Sequence, residues 1–153
     1  MAGSLSEKLK EVATNVVVTA PNRLSITVDA PNLVGAAQKL RDLGFDHAKS
    51  VTGIDYPEEN RIGVLYHVSS FEDLELAKVI LEIRTSVSRS DPRLHTVVEV
   101  WPSAEYLERE TSDLMGVAFE GLRASGRLML PENFEGAPPL RKDFKIRTEG
   151  IEA

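Results

Sequence analysis

Two stretches in the middle of the chain alternate between apolar and polar residues, and this alternation constrains the fold more than any other feature. Successive side chains of a β-strand point to opposite faces, so a period of two predicts a strand with one buried face. In 61–69 the apolar positions are Ile62, Val64, Tyr66 and Val68. In 76–87 the corresponding positions are Ala77, Val79, Leu81, Ile83, Thr85 and Val87. The sequence therefore predicts a sheet that buries one face.

The remainder of the first 116 residues adds strands and helices to this sheet. Further β-prone runs are predicted as strands at 15–19, 23–29 and 47–54, the first two forming a hairpin. Apolar residues at helical spacing predict helices at 4–12, 33–43 and 101–115. Gly44 and Gly116 follow the second and third helices, where glycine favours termination. The fold class is α+β: an antiparallel four- to five-stranded sheet with helices packed on one face.

Beyond residue 116 the periodic patterns end. Seven glycine or proline residues occur between positions 116 and 140, and such a density opposes both helices and strands. We therefore expect a compact domain at 1–116 and an extended, irregular C-terminal tail at 117–153. A tail that cannot bury its own apolar residues is expected to wrap a neighbouring protein.

Composition excludes several classes of function. The chain has no cysteine, so it has no thiol nucleophile, thiolate metal site or iron–sulfur cluster on its own cysteines. A net charge of −6 opposes nucleic-acid binding. Neither the G-x-G-x-x-G nor the Walker phosphate-binding motif occurs, so no nucleotide cofactor is expected. No apolar run is longer than that of Val16–Val18, far below the roughly 18 residues that span a bilayer. No secretory signal is recognised. A cytoplasmic location is expected.

The histidines give little indication of catalysis or metal binding. His47, His67 and His95 lack the short spacings that place two imidazoles on one helix face. We interpret them as ordinary strand residues. A serine–histidine–carboxylate triad can assemble from distant positions, but no G-x-S-x-G motif marks an activated serine.

One dense polar cluster lies on a predicted helix, at Glu108, Arg109, Glu110 and Asp113. Its carboxylates have the chemistry for acid–base catalysis or for a divalent metal. The same residues have the chemistry to hold the tail or a neighbouring protein through buried Arg–carboxylate pairs. The residue pattern leaves both interpretations open.

This segment resembles the hydrophilic 30 kDa family, also known as the C subunits, of NADH-quinone oxidoreductase, which is respiratory complex I. The order of short motifs carries the resemblance: Trp101-Pro102-Ser103-Ala104, Glu108-Arg109-Glu110, Asp113, Gly116, Phe119-Glu120-Gly121, Arg127, Leu130-Pro131 and Pro139-Leu140-Arg141-Lys142-Asp143-Phe144. Earlier matching segments are 51–56, 64–68 and 91–93. The chain departs from the family at 121–127, where a G-H-P-x-L-R-R stretch is usual, and at Met115, where an aromatic residue is usual. These departures favour a divergent archaeal-type or hydrogenase-type relative.

The resemblance implies a cofactor-free peripheral-arm subunit that supports assembly rather than electron transfer. It implies docking to the quinone-site, hydrogenase-like large subunit and to an iron–sulfur subunit, peripherally on the cytoplasmic face of the cell membrane. Contact with the membrane would be only indirect, through the complex. No catalytic, cofactor-binding or metal-binding residue is implied. The expected interface and structural residues are Trp101, Glu108, Arg109, Glu110, Asp113, Gly116, Arg127, Pro131, Pro139, Leu140, Arg141, Lys142, Asp143 and Phe144.

Two other functions compete with this interpretation. The first is a stand-alone metal-dependent enzyme that uses the carboxylates of Glu108, Glu110 and Asp113. The second is a free adaptor protein of the same fold. No autonomous activity is expected if the chain belongs to a larger complex.

Overall fold

The computed structural model describes residues 2–13, 15–123 and 126–146. Five strands form the main sheet in the spatial order β1-β2-β5-β4-β3. Their bounds are β1 Asn15–Ala20, β2 Arg23–Thr27, β3 His47–Tyr56, β4 Arg61–Ser69 and β5 Ile80–Ser88. The helices are α1 Ala2–Leu9, α2 Leu33–Asp42 and α3 Glu105–Met115. The predicted α+β class, the hairpin and the predicted helices are confirmed.

One pairing in the sheet differs from the predicted antiparallel arrangement. The pairs β1–β2, β3–β4 and β4–β5 are antiparallel, whereas β2 and β5 are parallel. The helix α2 follows β2 and returns the chain to the start of β3, so β3 runs in the same direction as β2. Two reversals then bring β5 back in that direction beside β2. The alternating pattern that predicts each strand contains no information about this order.

The predicted strand at 76–87 begins four residues late. Leu76–Lys78 form a 3-10 turn, and β5 starts at Ile80. The carboxylate of Asp73 accepts hydrogen bonds from the backbone N–H groups of Glu75 and Leu76 at 2.8 and 3.1 Å. Such local side-chain hydrogen bonds compete with strand pairing, so the turn overrides the alternation.

The hydrophobic core lies between one face of the sheet and the helices. The alternating residues Ile62, Val64, Tyr66 and Val68 of β4 are all fully buried. On β5 the predicted residues Leu81 and Ile83 are fully buried too. The other sheet face carries exposed side chains such as Thr52 and Arg84, so the described part of the chain leaves that face open.

A second, two-stranded sheet extends regular structure past residue 116. The strands β6, Arg93–His95, and β7, Ala118–Glu120, pair in parallel. Val117 is fully buried and Phe119 is 8% exposed, so this part of the predicted irregular tail belongs to the folded core. Three-residue strands are too short to show a period, which is why the sequence pattern missed them. Of the tail, 124, 125 and 147–153 lie outside the described residues.

No helix within the described ranges is long and apolar enough to cross a membrane.

Candidate interaction site

Trp101 and the turn after it set the position of α3 on the sheet. The Trp101 indole is fully buried, and its Nε1 donates a hydrogen bond of 2.7 Å to the carbonyl of Phe45. The Ser103 hydroxyl accepts from the N–H of Ala48 and donates to the carbonyl of the same residue. Gly53 on β3 lies so close to Met115 that a Cβ there would be 2.5 Å from the Met115 Cγ. Helix α3 is therefore held against β3 from its start to its end.

Glu108 lies at the centre of a buried hydrogen-bond network. Its side chain is fully buried, and its Oε1 accepts from the Tyr66 hydroxyl and from the Val97 N–H, both at 3.0 Å. Its Oε2 accepts from the Thr96 hydroxyl. Burial raises the pKa of Glu108, and the hydrogen bonds from Thr96, Val97 and Tyr66 oppose this only in part. Glu108 thus joins α3 to β4 and to the segment before the helix.

Arg109 and Glu110 do not form the Arg–carboxylate pairs that the sequence suggested. Within the described ranges, neither takes part in an ion pair. The Arg109 guanidinium lies 5.6 Å from the Tyr106 ring centroid. Its buried Nε has no hydrogen-bond partner among these residues. The contacts between α3 and the tail therefore involve other side chains.

Asp113 holds the first part of the tail. Its Oδ2 accepts hydrogen bonds from three consecutive backbone N–H groups, those of Leu128, Met129 and Leu130, at 2.8, 2.7 and 3.2 Å. Burial acts to raise the pKa of Asp113, but these donors outweigh it and the pKa is lowered. The ionised carboxylate therefore fixes a tail segment that has no strand or helix of its own.

The second part of the tail caps the C-terminal end of α3. The last carbonyls of a helix lack partners within the helix. Here the Leu140 N–H donates to the Leu114 carbonyl at 3.0 Å, and Arg141 Nε donates to the Met115 carbonyl at 2.9 Å. The positive charge of an arginine at this end also interacts favourably with the helix dipole. Gly116 makes the close approach possible: it has φ +74°, and a Cβ there would be 2.6 Å from Pro138 Cγ.

A bridge of alternating charges fixes the tail to β3. Arg89 Nε and Nη2 donate to the two carboxylate oxygens of Asp55 at 2.7 and 3.2 Å, and Nη2 lies 2.8 Å from Asp143 Oδ1. The Lys142 N–H also donates to Asp55, at 2.9 Å. The hydrogen bonds from Arg89 lower the pKa of the buried Asp55 despite its burial, and the two carboxylates raise the pKa of Arg89.

The tail also packs against itself. Arg127 Nη2 donates to the Phe134 carbonyl at 3.1 Å, and the Phe134 N–H closes a turn on the Pro131 carbonyl at 3.0 Å. The rings of Phe134 and Phe144 stack with centroids 6.5 Å apart. We call α3 together with residues 127–144 the α3–tail junction.

The junction contains several residues that sequence reasoning singled out and two that it missed. Asp113, Gly116, Arg141 and Asp143 make the contacts described above, and Pro139 is half-buried beside them. Asp55 and Arg89 are as important and were not predicted. The position of Asp55 gives a usable indication: it pairs with Ile62, so it occupies the core-facing register of β3. A carboxylate at a core position requires a partner. Arg89, which directly follows β5, is that partner.

The arrangement of the carboxylates does not favour a metal-dependent enzyme. The Glu108 carboxylate already accepts hydrogen bonds from three protein donors, and the Asp113 carboxylate already accepts from three backbone N–H groups of the tail. Among the described residues, no group of three or more histidine, aspartate or glutamate side chains is placed to hold a metal ion. The three carboxylates of the metal hypothesis therefore do not converge.

A serine–histidine–glutamate row does exist, on the open sheet face. Ser50 Oγ lies 2.9 Å from His67 Nδ1, and His67 Nε2 lies 3.3 Å from Glu82 Oε2. Strand register accounts for it, because Ser50, His67 and Glu82 are directly opposite one another on β3, β4 and β5. Glu82 Oε1 is shared by Ser25 and Arg84. All three histidines lie on strands, as expected.

The carboxylates of Glu108, Asp113 and Asp55 thus bind other elements of the same chain, as in a protein whose polar residues stabilise its structure. The comparison with known proteins gives the family. Residues 26–150 match the family model of the 30 kDa subunit of respiratory-chain NADH dehydrogenase, and the chain belongs to this family.

Individual relatives agree with this assignment. The chain is 37% identical over 133 residues to the NADH-quinone oxidoreductase C subunit of Moorella thermoacetica, covering 82% of this chain and 86% of that protein. It is 32% identical over 143 residues to the F(420)H(2) dehydrogenase C subunit of Methanosarcina mazei, covering 93% and 88%. The expected relationship to the 30 kDa family, including its archaeal type, is confirmed.

Solved structures share the fold. A chain of the membrane-bound sulfane sulfur reductase, an archaeal respiratory membrane complex, superposes with a TM-score of 0.80 at 28% identity, covering 95% of this chain and 86% of that one. A trypsin-resistant fragment of Nqo5 superposes with a TM-score of 0.68 at 26% identity, covering 81% and 98%.

Proposed function

We propose that this chain is a cofactor-free peripheral subunit of a complex I-like oxidoreductase and that the α3–tail junction docks its neighbours. The neighbours would be the quinone-site subunit and an iron–sulfur subunit. The relatives are subunits of NADH-quinone oxidoreductase and of F(420)H(2) dehydrogenase, and one structural neighbour comes from a respiratory membrane complex. Membership of the family supports the role within a complex, and the junction supports the mode of docking. The location would be peripheral, on the cytoplasmic face.

The observation that carries the docking proposal is the contrast between backbone and side chains in the tail. The tail backbone is held at 128–130 and at 140–142 by α3 and by Asp55. Three of its apolar side chains are nevertheless exposed: Met129 is 57% exposed, Leu140 is 60% exposed and Ile146 is 75% exposed. Exposed apolar side chains on a fixed backbone are suited to a partner, because little further ordering is required on binding.

We also propose the division of the chain that the sequence predicts. Residues 1–116 would form the supporting domain, and 117–153 would form the docking tail, with β7 as the part of the tail that is built into the core. Arg127, Pro131 and Phe144 shape the tail through contacts within it. Arg141, Lys142 and Asp143 hold it to the domain, which leaves the Leu140 side chain free for a partner.

Purification of the tagged chain from its host membranes tests this proposal. We expect the quinone-site and iron–sulfur subunits to co-purify with the full chain and to be lost when the chain is truncated after Gly121. Truncation also removes the cap of α3, so a point variant is needed. Leu140→Asp changes an exposed side chain, and Leu74→Asp, at a position that is 76% exposed, is its matched control. Co-purification of both subunits with the truncated chain and with Leu140→Asp would refute the docking role of the tail.

A further inference from the structure

The sheet face opposite the helices has a groove that is not part of the α3–tail junction. The groove has a volume of about 470 Å³ and crosses all five strands of the main sheet. Arg23 of β2 lies toward one end, and Lys49 of β3 lies toward the other. The row Ser25–Glu82–His67–Ser50 lies between them. A second hollow of about 360 Å³ adjoins it and shares Arg84.

The groove is basic although the chain as a whole is acidic. Three cationic side chains, Arg23, Lys49 and Arg84, line it against the single carboxylate of Glu82, while the whole chain carries −6. Arg84 is paired with Glu82. Arg23 and Lys49 are exposed and form no ion pair with any residue of the described ranges. The Lys49 Nζ lies 5.4 Å from the Phe71 ring.

We propose that this groove binds an acidic segment of a neighbouring protein of the complex, whose carboxylates pair with Arg23 and Lys49. The proposal rests on the proposed function, because it requires the chain to be part of an assembly. A protein segment fits better than a nucleic acid or an anionic lipid surface. Such extended polyanions would meet the net negative charge of the whole chain, whereas a short segment meets only the local positive field.

The groove and the α3–tail junction lie on opposite sides of the sheet. Helix α3 packs on the buried face at Gly53, whereas Arg23, His67 and Arg84 occupy the other face. A segment bound in the groove therefore contacts the side of the sheet opposite to the α3–tail junction, and both surfaces can be occupied at once. This arrangement assigns the polar row of the groove to recognition rather than to catalysis.

Carbodiimide cross-linking of the assembly purified from membranes tests the groove directly, because this reagent joins an amine to a carboxylate in close contact. We expect mass spectrometry to find Lys49 joined to an aspartate or glutamate of another protein of the complex. The variant Lys49→Arg keeps the charge and should abolish that cross-link while retaining the partners. Finding Lys49 joined only to this chain or to a second copy of it, or unjoined, would overturn the proposal.

Charge reversal gives an independent measurement. The double variant Arg23→Glu with Lys49→Glu should weaken retention of the acidic partner about tenfold, since it replaces attraction by repulsion. The control Lys8→Glu with Lys78→Glu makes the same change in charge at two exposed positions outside the groove. Equal retention in both double variants counts against the groove. If no other protein of the complex co-purifies with the unaltered chain, the proposed function fails as well, and this result is distinct from failure of the groove alone.

Discussion

Replacing Glu108 by alanine perturbs the most deeply buried polar group of the α3–tail junction. The substitution leaves the Tyr66 hydroxyl and the Val97 N–H without their acceptor. Each buried unsatisfied group costs roughly 1–2 kcal/mol. The lost Cγ methylene group adds about 0.8 kcal/mol. Thr96 is only half-buried, so water replaces its partner. We therefore expect Glu108→Ala to lower the free energy of unfolding by about 4 kcal/mol.

The matched variant Glu108→Gln separates hydrogen bonding from charge. It keeps the shape of the side chain and an acceptor oxygen, so we expect a change of less than about 1 kcal/mol. Because burial raises the pKa of Glu108 in the folded protein, the folded state binds its proton more tightly than the unfolded state. Relative to Glu108→Gln, the unaltered protein should be more stable at acid pH and should lose that advantage as the pH rises through the folded pKa.

Urea denaturation followed by circular dichroism, at several pH values between about 4 and 7.5, measures both effects. For a chain of this size, a loss of 4 kcal/mol corresponds to a fall in Tm of about 8–16 °C. A loss of less than about 1 kcal/mol in Glu108→Ala would refute the account of this network. A stability difference from Glu108→Gln that rises with pH would refute the assigned direction of the pKa shift.

Three further predictions concern the attachment of the tail. Asp113→Ala removes the acceptor for three backbone N–H groups, so trypsin should cleave the tail about fivefold faster. Because the pKa of Asp113 is lowered, the attachment of the tail in the unaltered chain should persist above about pH 4. It should be lost as the pH falls through the folded pKa. Gly116→Ala places a Cβ against Pro138 at a positive φ, so Tm should fall, and a Tm equal to that of the unaltered protein would contradict this contact. Asp55→Asn deprives Arg89 of its buried carboxylate, so Tm should fall and exchange of the Lys142 amide should accelerate, whereas the exposed Glu59→Gln should change neither.

The strands with a clear period could be predicted from the sequence, and their partners could not. The alternation in β4 corresponds residue by residue to the buried face, because side-chain direction in a strand is a local property. Pairing is a property of the whole chain: the parallel contact between β2 and β5 depends on the path through α2 and β3. The short strands β6 and β7 exist only because the fold brings 93–95 beside 118–120.

The same distinction applies to the candidate site. The motif residues on α3 could be found from their order along the chain, but their roles could not. Glu108 and Asp113 are five residues apart, and one binds core groups whereas the other binds tail amides. Arg109, between them, makes no ion pair with the described residues, whereas Arg89 supplies the bridge to the tail. A one-dimensional pattern identifies an arginine near carboxylates, and only the three-dimensional fold shows which arginine reaches them.

Backbone amide hydrogen exchange, compared between the isolated chain and the assembly, tests the central claim about the tail most directly. The amides of Leu128–Leu130, Leu140 and Lys142 are hydrogen-bonded within the chain, so they should already be protected in isolation. In the assembly, we predict that the added protection is strongest at 126–146, where a partner covers the exposed apolar side chains. Equal exchange of 126–146 in the two states would contradict the claim that this segment docks a neighbouring protein of the complex.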